Sequence, residues 1–108
     1  MKERRIENRL LCADLVRVGW NIRSLEGVLE DISPQGACVQ IEEHIPPNEE
    51  ISISEIGGRG PLFTGLVTYC VYRDHGYFVG VHFNGPTTWS AGIFEPQHLT
   101  DVAALNEN

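Results

Sequence analysis

The chain has three cysteines, Cys12, Cys38 and Cys70, too few and odd in number for a disulfide framework. With no secretion signal ahead of them, they read as reduced thiols of a cytoplasmic protein. No apolar run is long enough to cross a bilayer, and residues 1–9 are charged, so neither a signal peptide nor membrane insertion is expected. Basic residues are scarce as well: eight Lys and Arg stand against fifteen Asp and Glu, for a formal net charge of −7. Non-specific binding to DNA or RNA depends on neutralising phosphates, so no nucleic-acid polymer is expected as a partner. The usual enzyme signatures are missing. Ser, His and Asp all occur, but no G-x-S-x-G elbow does. There is no P-loop and no dinucleotide-binding glycine fingerprint. Cys70, His75 and His82 sit in or beside one expected hairpin, but their spacing fits no structural zinc pattern. No catalytic residue, metal or cofactor is therefore expected, and the chain is not read as an enzyme. It has no internal repeat and no low-complexity tract.

What remains is a sequence able to build one core. Hydrophobic residues make up 42% of 108 positions, enough for a single domain that folds without staples. Its charge is unevenly placed. Lys2, Arg4, Arg5 and Arg9 are half of all the basic residues, opposed locally only by Glu3 and Glu7. The first nine residues are thus a net positive arm on a strongly acidic body. Such a chain can hold a compact anion locally while repelling long polyanions.

The body reads as short strands between turns. Strands are expected over 10–18, 25–32, 37–42, 51–56, 63–72 and 77–83. Ala37, Val39 and Ile41 share one face of the third, Ile51 and Ile53 one face of the fourth, and Val79, Val81 and Phe83 the core face of the last. Pro46-Pro47-Asn48 interrupts the pattern, and Gly57-Gly58-Arg59-Gly60-Pro61 reads as a flexible loop. Arg73-Asp74-His75-Gly76 reads as a four-residue hairpin loop. Evenly spaced short strands predict a closed barrel or a sandwich. Leu99, Val102, Ala103 and Leu105 fall at helical spacing, so one short helix is expected over 96–105, packing on the barrel or plugging a mouth. The division is a basic arm 1–9, a barrel 10–94 and a helical end 95–105 of one domain. Trp20 and Trp89 read as core or rim packing.

Two motifs carry chemistry. Arg4-Arg5-Ile6-Glu7-Asn8-Arg9 lies just before the first strand, and Asp31-Ile32-Ser33-Pro34-Gln35-Gly36 lies at the end of the second. Residues two apart on a strand point the same way, so Asp31 and Ser33 present a carboxylate and a hydroxyl side by side. Gly36 admits a positive φ or a close backbone approach. An arginine fork can bond the O6 and N7 of guanine, straddle a phosphate or stack on a base. A carboxylate accepts from the N–H donors on guanine's other edge. A cyclic ligand with two guanines and two phosphates would use all these groups at once. Alone, an arginine-rich N-terminus reads as a solvated tail, and Asp-x-Ser ahead of Pro-x-Gly as an ordinary turn. Together, in this order and followed by a β pattern, they are far more specific.

The pair Arg5-x-x-x-Arg9 and Asp31-x-Ser33-x-x-Gly36 resembles the paired signature of the PilZ family of bacterial receptor domains. Gly36-Ala37-Cys38-Val39 is similar to the strand that follows the family's second motif, and Gly80-Val81-His82-Phe83 to its closing strand. The resemblance implies an all-β, six-stranded antiparallel barrel with a helix, and cyclic di-GMP as ligand. It implies that Arg5 and Arg9 bind guanine and phosphate, that Asp31 and Ser33 bind the guanine edge, and that Gly36 is a turn glycine. A basic residue at the place of Arg4 goes, within the family, with two stacked ligand molecules. The expected switch is an ordering of the arm across the barrel, read by a separate effector protein. The alternative is a protein–protein adaptor on the same fold that binds no nucleotide.

Overall fold

Alternation of apolar and polar residues sets the strands. The computed structural model describes residues 9–84 and 94–99, in which six strands form: β1 Leu10–Trp20, β2 Arg23–Ser33, β3 Gly36–Ile41, β4 Glu50–Glu55, β5 Phe63–Arg73 and β6 Gly76–Phe83. Each lies where the pattern places it, with ends that differ by a residue or two. All neighbours pair antiparallel in the order β1-β2-β3-β6-β5-β4, and β4 returns to β1, closing the barrel. Closure leaves no bare edge along the paired lengths. No helix among the described residues is long and apolar enough to cross a membrane.

Inward side chains fill the barrel. Val16, Val18, Leu29, Val39, Val67 and Val79 are essentially inaccessible, and the Phe63 and Phe83 rings stack with centroids 4.6 Å apart. Trp20 packs at the rim and donates its indole N–H to Glu49 Oε1 at 2.9 Å. The Arg73–Gly76 loop is tighter than expected. Arg73 and Gly76 pair as the last rung, leaving a two-residue turn in which Asp74 and His75 have φ of 56° and 68°. That is the left-handed pair a type I′ hairpin needs.

Three register shifts interrupt the ladders. One, between Leu11 and Asp14 of β1, leaves that strand's own alternation intact, with Cys12, Asp14, Val16 and Val18 all inward. In β2, Leu29 and Asp31 face the consecutive residues Val39 and Cys38 of β3, so Glu30 is an extra residue. In β5, Val67 and Tyr69 face Val81 and Gly80 of β6, so Thr68 is extra. The extra residues in β2 and β5 reverse the face that follows them. Leu29 therefore points inward and Asp31 outward; Val67 points inward and Tyr69 outward.

The end of the chain departs from expectation. Residues 96–99, the start of the expected helix, are not helical but bend at Gln97 and meet β1 at Leu99, and the rest of that helix, from 100 onward, lies outside the described residues. The reason is in β1. Strand β4 covers it only from Val16 to Trp20, so its first half is available to another segment. Leu99 bridges Cys12 antiparallel, and Ala13 N–H donates to His98 O at 2.9 Å. Asp14 occupies an inward position beside Cys12 and Val16. Its carboxylate, only 5% exposed, accepts the backbone N–H groups of Gln97 at 2.7 Å and His98 at 2.9 Å. A buried carboxylate needs such donors, and the bend at Gln97 turns two successive N–H groups toward it. Phe94, at the head of this segment, joins the core. Burial, reinforced by the charge of Asp14, pushes the Cys12 thiol up to about 12, so it stays protonated and donates to Leu29 O.

Candidate functional site

The second motif ends β2. Ile32 is buried in the core, and its neighbours Asp31 and Ser33 lie on the outer face, as the two-residue spacing requires. The bulge at Glu30 decides which face this is: without it, continuing the alternation from Leu29 would turn Asp31 and Ser33 inward. Pairing then lays out a row across the outer face, running Leu11, Asp31, Cys38, Gly80, Tyr69 over strands β1, β2, β3, β6 and β5.

Around this row lies a pocket of about 180 Å³, with Arg9, Asp31 and Ser33 on one side and Thr68, Tyr69 and His82 on the other. Arg9 Nη1 lies 3.4 Å from Asp31 Oδ2, so the last arginine of the first motif meets the carboxylate of the second. The Ser33 hydroxyl donates to Gly36 O at 3.3 Å. Arg4 and Arg5 lie outside the described residues.

Gly36 has a role the sequence reading did not give it. The turn itself is Pro34-Gln35, and Gly36 is the first residue of β3, paired with Ser33. It is not among the described residues with positive φ. Instead, a Cβ at Gly36 would run into the carbonyl oxygen of Val81 on β6. Glycine is needed here for close approach between two strands, not for a turn conformation.

The pocket floor was also missed. Cys38 is buried although it lies on the outer face, because Tyr69 covers it. A Cβ at Gly80 would fall 2.5 and 2.6 Å from Cζ and Cδ2 of Tyr69, so the tyrosine ring rests directly on the Gly80 backbone. Its hydroxyl is hydrogen-bonded with the Cys38 sulfur. Burial first, and then this bond, pushes the Tyr69 phenol up to about 12. Burial likewise pushes the Cys38 thiol up, partly offset by the same bond. Both groups therefore stay neutral near pH 7. Glu30, in the bulge, is raised by burial and then by the charge of Asp31, with Arg73 acting the other way. The result is a neutral floor with a guanidinium and a carboxylate at one end, suited to holding a planar polar ligand that has donors on one edge and acceptors on another.

Cys70, His75 and His82 do not converge. Cys70 packs against the core, His82 lies on the outer face and His75 is in the hairpin turn. Among the described residues, no three His, Cys, Asp or Glu side chains gather as metal ligands would.

The family model described as the PilZ domain matches residues 2–90. No curated protein matches the chain.

Proposed function

We propose, from the premise that this chain belongs to the PilZ domain family, that it is a bacterial receptor for cyclic di-GMP that catalyses no reaction. The observation that carries this reading is the meeting of Arg9 with Asp31 on one outer face, beside Ser33, across 22 residues of sequence. In it, Asp31 accepts from the N1 and N2 donors of a guanine, and Arg9 reaches the O6 and N7 acceptors of that base or a phosphate. Arg5 and Arg4 supply further guanidinium groups for the second phosphate and the second base. The ligand is a regulatory one, bound by charge-assisted hydrogen bonds, and its effect passes to a separate effector protein in the cytoplasm.

The switch is the arm. Residues 1–9 hold too little apolar surface to offset the backbone ordering cost of about 1–2 kcal/mol per residue. Charge-assisted bonds from Arg4, Arg5 and Arg9 to the ligand offset it at the moment of binding. Amide hydrogen exchange reads this directly. Cyclic di-GMP is expected to raise protection over residues 6–11 and at the 33–36 turn, while amides of the β5–β6 hairpin, already in the ladder, change little. An arm equally protected with and without ligand would refute the switch even if the nucleotide binds.

A further inference from the structure

Tyr69 is held in place more firmly than an exposed tyrosine needs to be. The bulge at Thr68 turns it outward, the Gly80 backbone supports one face of its ring, and the Cys38 sulfur anchors its hydroxyl. The residue is nonetheless 44% exposed, so the other side of the ring is open to the pocket. Gly80 has no side chain to compete for this place.

The spacing then becomes informative. Neighbouring strands lie about 4.8 Å apart, so Asp31 on β2 and Gly80 on β6, separated by β3 alone, are about 10 Å apart across the row. A purine laid on a ring that sits over Gly80 bridges most of that gap, and one hydrogen bond from its edge covers the rest. The groups are of the right kind at both ends: a neutral aromatic face, then a carboxylate.

We propose that the open face of Tyr69 is a stacking platform for one guanine of the ligand, which holds the base in the plane that delivers its N–H edge to Asp31. This rests on the cyclic di-GMP reading above. Tyr69 is then a positioning residue for base recognition, and the β5 bulge exists to aim it. An aromatic side chain covering a glycine on a neighbouring strand also serves packing alone, and the two roles part in experiment.

The test is a calorimetric titration of the wild type, Tyr69→Phe and Tyr69→Leu with cyclic di-GMP, with thermal unfolding of each. Phenylalanine keeps the flat face and loses the hydroxyl; leucine covers Gly80 but offers no π face. Base–aromatic stacking predicts affinity within about twofold of wild type for Phe and a loss of roughly fivefold to hundredfold for Leu. The second readout needs no mutant. Guanine stacking moves the ring-proton resonances of Tyr69 upfield at saturation, whereas a packing role leaves them in place. Wild-type binding with Leu at wild-type affinity, or with unmoved ring resonances, overturns the platform alone. No binding by the wild type overturns the receptor reading and the platform with it.

Discussion

Arg9→Ala is expected to cost about 1–3 kcal/mol of cyclic di-GMP affinity, roughly fivefold to 150-fold, while the barrel stays folded. Arg5→Ala is expected to do the same. Arg9 is about half exposed and its contact with Asp31 is long, at 3.4 Å. An ion pair of that kind contributes only about 0–1 kcal/mol to stability, so the fold survives its loss. Binding does not. Arg9 is the one guanidinium among the described residues that line the pocket. Its removal takes away the guanidinium that reaches the acceptors of the base or a phosphate, and the acidic body has few cations in reserve. Titration calorimetry gives the affinity and urea unfolding the stability. Near-wild-type affinity in the Arg9 variant would remove the arginine from the site.

Gly36→Ala is expected to lower both stability and affinity, for a reason different from the one its motif suggests. The added methyl meets the Val81 carbonyl oxygen, which is backbone within a paired strand and cannot rotate away. Strands β3 and β6 must move apart at this rung. Overpacking of this sort costs about 1–3 kcal/mol. For a domain of this size each kcal/mol lowers the melting temperature by about 4–8 °C. The same displacement moves the Gly36 carbonyl that holds the Ser33 hydroxyl, so the pocket is altered too. Gly36→Asn separates the two explanations. Asparagine tolerates left-handed turn conformations, so a turn glycine would accept it, whereas a close-approach glycine rejects it as it rejects alanine. A stable, binding-competent Gly36→Asn would contradict the packing argument.

The strands were legible because their chemistry is regular. Ala37, Val39 and Ile41, or Val79, Val81 and Phe83, alternate strictly, and each set lies inside the barrel. The bulges were not legible, because Glu30 and Thr68 carry no residue-type signal; only the pairing registers reveal them. That is why Tyr69 passed unnoticed. Its neighbours Val67 and Val71 share its odd-numbered alternation, yet Val67 is inside and Tyr69 outside. The spacing of Asp31 and Ser33 was readable because no bulge falls between them. The end of the chain was misread over 96–99 because helical spacing was weighed without a partner for Asp14. A carboxylate in line with Cys12, Val16 and Val18 on the core-facing side of β1 calls for buried donors, and the backbone of Gln97 and His98 provides them. That signal was present in the sequence, although nothing in it named the donors.

The most direct test of the receptor reading is a calorimetric titration of the wild-type chain with cyclic di-GMP and, in parallel, with cyclic di-AMP. Adenine presents an acceptor at N1 and lacks the N2 amino group, so it repels the Asp31 carboxylate where guanine binds it. A cyclic di-GMP receptor gives saturable heat with cyclic di-GMP and far weaker binding of cyclic di-AMP; no heat with cyclic di-GMP, or equal affinity for the two, would contradict the receptor reading.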